Sequence, residues 1–176
     1  MKQNKGYSLV ELIMVIAIMG VLLGVGILQM VMVTGFYANE CADKLEAELN
    51  KVQIVNMARK ATEIEIYKDA SGPYFVKVIE DKGNPSLERT TVKQVGRGSL
   101  LITYSMNEDD SDVRELNGTN KIVLQFNRAS GALKSGCHRI WIRQKNGSKV
   151  YTITIHKETG KIKVDPKEVK YSASPT

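Results

Sequence analysis

One carboxylate stands at the mouth of a membrane-length apolar stretch. The chain opens with a short basic segment and reads Lys5-Gly6-Tyr7-Ser8-Leu9-Val10-Glu11; from Leu12 to Val33, 22 positions, Gln29 is the only polar side chain. As a helix the stretch spans roughly 33 Å at about 1.5 Å per residue, enough for a hydrocarbon core of about 30 Å. It exceeds the usual secretory h-region of about 7–15 residues. A charge beside such a segment costs up to roughly 2.5–3.5 kcal/mol at mid-bilayer, so Glu11 is expected to have a role. Two roles are open and compatible. Ser8-x-x-Glu11 has the spacing of a capping box, which satisfies free amides at a helix start. Cleavage before Tyr7 would also set a new ammonium one helical turn from Glu11, where the two can pair.

The residues Gly6-Tyr7-Ser8-Leu9-Val10-Glu11-Leu12 carry a family resemblance. A basic leader ending in Gly, a large residue, a small polar one, two aliphatics and Glu resemble the cleavage and methylation motif of type IV prepilins and type II secretion pseudopilins. The resemblance implies that a membrane-embedded prepilin peptidase cuts between Gly6 and Tyr7 and that the new amine of Tyr7 is N-methylated. Tyr7 stands where the family usually has Phe. It further implies that Glu11 pairs with the terminal amine of an adjacent subunit during filament assembly, and that an assembly ATPase and a platform membrane protein are partners.

The remaining chain of roughly 140 residues is a normal size for one folded domain. Lys2 and Lys5 precede the apolar run, so the leader is expected to be cytoplasmic and everything after Val33 extracytoplasmic. That location permits a disulfide between Cys41 and Cys137, the only cysteines; the other reading is two small buried or free thiols. Cys137 and His138 are sequence neighbours, which in an extended segment face opposite ways and form no nucleophile–base pair. With His156 the only other histidine, no metal centre, cofactor or enzymatic activity is expected.

From Phe36 to about Arg59, Ala38, Cys41, Ala42, Leu45, Leu49, Val52 and Val55 recur every three or four residues between charges, the pattern of an amphipathic helix. No proline precedes Pro73, so one helix can run from the apolar segment into the domain. Gly20, Gly24 and Gly26 suit close helix packing, or alternatively a hinge. Beyond Lys60 the period becomes two. Strands are predicted at Thr62–Tyr67, Tyr74–Ile79, Arg89–Val95 and Leu100–Ser105, followed by a solvated acidic loop at Asn107–Asp112 that lacks EF-hand spacing. Further strands at Lys121–Phe126, Arg139–Arg143, Val150–Ile155 and Lys161–Val164, separated by Ser130-Gly131, Asn146-Gly147 and Thr159-Gly160, read as a meander of hairpins. The expected fold is α+β and pilin-like: a long N-terminal helix, membrane-spanning in its first half, packed against antiparallel sheet. Its expected divisions are a leader at 1–6, a transmembrane and filament-core helix at 7–35, an amphipathic helix at 36–60 and a β domain at 61–176. The C-terminal strands, with Phe126, Ser130-Gly131 and the segments 151–155 and 159–164, look like those of H-type minor pseudopilins and FimT-like minor pilins.

Loss of the leader lowers the formal charge from +6 to +4. Residues 37–120 hold 11 Lys/Arg against 15 Asp/Glu, whereas residues 121–176 hold 12 against 3. That asymmetry reads as complementarity between stacked subunits, or as a basic face for a polyanion such as DNA, with Arg139, Arg143, Lys145 and Lys149 as its contacts. The function expected is that of a minor pilin or pseudopilin, a structural subunit of a type II secretion or type IV pilus-like filament. Its partners are other pilins, the membrane and, as an alternative, nucleic acid in a DNA-uptake machine. The rival from another class is a signal-anchored extracellular binding protein.

Overall fold

The structure, a computed structural model, describes residues 9–58, 61–145, 147 and 149–167, and for 23–34 and 166–167 it describes the backbone alone. The chain divides into two compact units, Met1–Thr34 and Gly35–Thr176. Helix α1 (Leu9–Met57, 49 residues) contributes to both. In the first unit every large apolar side chain described between Leu9 and Leu22 is exposed, from Val15 at 46% to Leu9 at 75%. Apart from Glu11 this stretch is apolar all round, and it has no buried stripe. Among the described residues no helix is long and apolar enough to cross a membrane. The run from Leu12 to Val33 passes through 23–34, whose side chains lie outside the described residues, as do the leader, Gly6, Tyr7 and Ser8.

The second unit begins with the amphipathic part of α1. Ala38, Cys41, Ala42, Leu45, Leu49 and Val52 are at most 1% exposed and form the helix side of the core. Val55, assigned by its spacing to the same stripe, is only half-buried. Asn56 takes the buried position instead, because its amide ties off the helix end: Nδ2 donates to the Thr62 carbonyl and Oδ1 accepts from the Thr62 N–H, both at 3.2 Å. A buried amide satisfied on both atoms is tolerated where a lone one costs about 1–3 kcal/mol.

Among the described residues the helix is joined by two five-stranded antiparallel sheets, in the orders β3-β2-β1-β6-β7 and β10-β9-β8-β4-β5. The first comprises β1 (Glu63–Lys68), β2 (Tyr74–Glu80), β3 (Arg89–Gly96), β6 (Lys121–Phe126) and β7 (Leu133–Ser135). The second comprises β4 (Leu100–Ser105), β5 (Arg114–Glu115), β8 (Arg139–Gln144), β9 (Val150–Ile155) and β10 (Ile162–Lys167). Ile64, Ile66, Leu124 and Phe126 from the first sheet join Ile102, Ile140, Ile142, Ile153 and Ile155 from the second in one core with the helix. Each such side chain contributes roughly 1.5–3 kcal/mol by leaving water. Pro166 falls in β10, an edge strand, where its missing N–H interrupts no ladder.

The expected meander from Lys121 to Val164 is corrected by this topology. Only β8, β9 and β10 form one; β6 pairs with β1 and β7 in the other sheet. The turn at Ser130-Gly131 closes onto the short β7, and the chain then changes sheets past Gly136, whose φ is +133°. A Cβ there would lie 2.4 Å from Leu124 Cδ2, so the passage needs glycine.

Candidate functional site

Glu11 lies in the first turn of the described part of α1 and is exposed, with Leu9, Val10, Leu12 and Ile13 exposed about it. It has no ion-pair partner among the described residues. A carboxylate in this setting is soluble in water and costly in lipid unless a cation meets it. Gly6 and Tyr7, the residues assigned to cleavage and methylation, lie outside the described residues.

The four basic residues assigned to a polyanion site do not form one group. Arg139, Trp141 and Arg143 alternate along β8 and so share a face, with Arg139 and Arg143 about 13 Å apart at roughly 3.3 Å per residue. At the Arg139 end the guanidinium is ion-paired with Asp110 and lies 6.0 Å from the centre of the Trp141 ring. The other three lie further along the chain: Arg143 near the end of β8, and Lys145 and Lys149 exposed on either side of the following turn. The acidic loop supplies the reason. Asp112 accepts from Ser105 Oγ at 2.6 Å and from the N–H groups of Met106 and Asn107, which holds its carboxyl below the ordinary carboxylate value and folds the loop back on β4. Asp110 and Glu108 then face Arg139 and His138. The loop expected to be solvated is exposed over most of its length, and it is also tied to the basic third of the chain through Arg139 and His138.

Charge mixing recurs in the first sheet. Strand β1 sends Ile64 and Ile66 into the core and Glu63 and Glu65 to the opposite face, yet both carboxylates are buried, at 4% and 9% exposure. Lys121, from the basic part of the sequence, pairs with Glu65 at 2.6 Å. Glu63 is held by Lys82 and Gln125; burial pushes its carboxyl up, but the hydrogen bonds and the charges of Lys82 and Lys121 outweigh it and keep the group below its ordinary value. Glu63 and Lys82 line a cleft of about 450 Å³ with Asn56, Gln125 and Lys134. The alternation Thr62-Glu63-Ile64-Glu65-Ile66 signalled the faces, but not that the polar face is covered.

Cys41 and Cys137 are free and buried; no disulfide joins them. Burial pushes each thiol up to about 12, so neither is a thiolate nucleophile or metal ligand near neutrality. The two histidines line one cleft of about 430 Å³ with Glu108 and Glu158, and His138 Nδ1 is 3.8 Å from Glu108 Oε1. Among the described residues no three His, Cys, Asp or Glu side chains are grouped to hold a metal ion.

Residues 1–27 match the family model of the prokaryotic N-terminal methylation motif. No curated protein and no solved structure matches the chain. The matched segment contains the basic leader, the Gly6-Tyr7 bond, Glu11 and most of the apolar run, as far as Ile27. It supports a type IV prepilin-like precursor.

Proposed function

We propose that this chain, with its prepilin-like N terminus, is a minor pilin or pseudopilin: a non-enzymatic subunit of a type II secretion or type IV pilus-like filament. The observation that carries the reading is the methylation motif at residues 1–27, which runs into a helix whose described apolar side chains, Leu9 to Leu22, are exposed on every side. Such a helix needs an apolar environment along its whole circumference, and lipid or a bundle of like helices supplies it. Cleavage after Gly6 frees the amine of Tyr7, which is then N-methylated. The processed subunit is held as a single-pass protein with its β domain outside, then drawn into the filament by an assembly ATPase acting through a platform membrane protein.

Glu11 explains how entry is selected. Alone in lipid its charge is unfavourable, whereas the terminal amine of a neighbouring subunit would neutralise it and fix the axial register of two helices. Glu11→Ala therefore separates two processes. The variant should insert into membranes as well as the wild type or better, and be depleted from sheared filaments at least severalfold, as read by immunoblot of membrane and filament fractions. Equal incorporation would reduce Glu11 to a helix cap.

A further inference from the structure

The turn between β5 and β6 presents an asparagine amide in an acceptor arrangement. Asn117-Gly118-Thr119 has the Asn-x-Thr pattern of N-linked glycosylation, and all three residues are exposed. The oxygen Oδ1 of Asn117 accepts from the Thr119 hydroxyl at 2.7 Å, the Thr119 N–H at 3.0 Å and the Asn120 N–H at 3.2 Å. Three donors identify that atom as the oxygen, which leaves Nδ2 as the amide atom turned away, without a partner among the described residues. A Cβ on Gly118 would meet nothing within 4 Å, so the approach is open. The turn is also firmly mounted. Asn117 N–H donates to Asn120 Oδ1 and Asn120 Nδ2 to the Glu115 carbonyl, both at 2.8 Å, while the fully buried Leu116 donates its N–H to Ile102 of β4.

We propose that Asn117 is a glycosylation site, modified by a transferase that uses a sugar activated through a diphosphate, lipid-linked or nucleotide-linked. A carboxamide nitrogen is a poor nucleophile because its lone pair is delocalised into the carbonyl. Donation from the Thr119 hydroxyl to Oδ1 stabilises the imidate that forms when Nδ2 loses a proton to a base of the transferase. The Nδ2–C1 bond to the sugar then forms as the C1–O bond to the diphosphate breaks, and the diphosphate leaves with the bonding electrons. Glu115, exposed two residues earlier, adds a negative charge that the cations of a diphosphate-holding enzyme would attract. Two other segments resemble the pattern. Asn84-Pro85-Ser86 is barred by its central proline, and in Asn146-Gly147-Ser148 the Asn and Ser lie outside the described residues.

The site is tested on the full chain purified from membranes of its own organism, by intact mass and peptide mapping. Wild type should carry a carbohydrate increment on the peptide containing Asn117. Asn117→Gln and Thr119→Ala should lose it, while Thr119→Ser and Asn146→Gln keep it; circular dichroism confirms that each variant is folded. A single monosaccharide unit points to a nucleotide-linked donor and one fixed oligosaccharide to a lipid-linked donor, and either supports the site. Wild type without the increment, or an increment that survives in Asn117→Gln, overturns it. Cleavage at Gly6 changes a different peptide, so this result and the filament reading stand or fall separately.

Discussion

A Cβ added to Gly160 would lie 1.9 Å from the carbonyl oxygen of Gly131, although the two glycines belong to turns of different sheets. The turns are built alike. Gly131 N–H returns to the Asn127 carbonyl at 2.8 Å and Gly160 N–H to that of His156 at 2.7 Å, with φ of +69° and +65°. Gln53 of α1 donates its Nε2 to both glycine carbonyls, at 2.8 Å and 3.1 Å. One helix side chain thus joins the β6–β7 turn of the first sheet to the β9–β10 turn of the second.

Gly160→Ala should consequently destabilise the domain by about 2 kcal/mol or more, combining left-handed backbone strain of about 1–3 kcal/mol with overpacking. Gln53→Ala, which leaves two carbonyls short of a donor, should cost about 1–2 kcal/mol. Chemical denaturation of both variants of the domain checks the order. A neutral Gly160→Ala would contradict the close approach.

Acid should weaken the first sheet through Glu63. Its folded value is depressed below the ordinary 4.5, so its contribution is fully present above that value and is lost as pH falls through the lower, folded one. The stability gap between wild type and Glu63→Gln should narrow as pH drops below 4.5. Parallel urea titrations at neutral and acidic pH measure it; a gap independent of pH would mean that Lys82 and Gln125 do not favour the carboxylate.

Arg139 is already neutralised by Asp110, so any attraction of the domain to duplex DNA would rest on Arg143, Lys145 and Lys149. Three phosphate contacts give a log-log salt slope of about −2.7, at roughly −0.9 each. Arg139→Ala should leave the slope unchanged, and Asp110→Ala should steepen it by about 0.9. Fluorescence anisotropy over a salt series decides, and a shallower slope in Arg139→Ala would show that the guanidinium is available.

Local pattern made much of this legible. The stripe from Ala38 to Val52, and the bounds of β4, β6 and β9, follow from periodicities that only neighbouring residues set. Strand partners do not follow. The alternation in Lys121–Phe126 fixes which side chains share a face but is indifferent to whether β1 or β8 lies alongside; the choice depends on the chain turning at Gly131 and crossing at Gly136. Long-range ion pairs were hidden for the same reason: Arg139 and Asp110 are 29 residues apart, and Lys121 and Glu65 are 56 apart. Net charge counted along the sequence therefore overstated the separation of charge in space. The methylation motif was legible because its residues fall within one short segment at the N terminus.

Intact mass with N-terminal sequencing of the membrane-extracted protein tests most directly the proposal that the chain is a prepilin-like precursor cut between Gly6 and Tyr7. The mature species should begin at Tyr7 with a methyl group on its amine, and Gly6 replaced by a bulky residue should leave the uncut precursor. A wild-type protein that still begins at Met1 or Lys2, as a signal-anchored binding protein would, contradicts it.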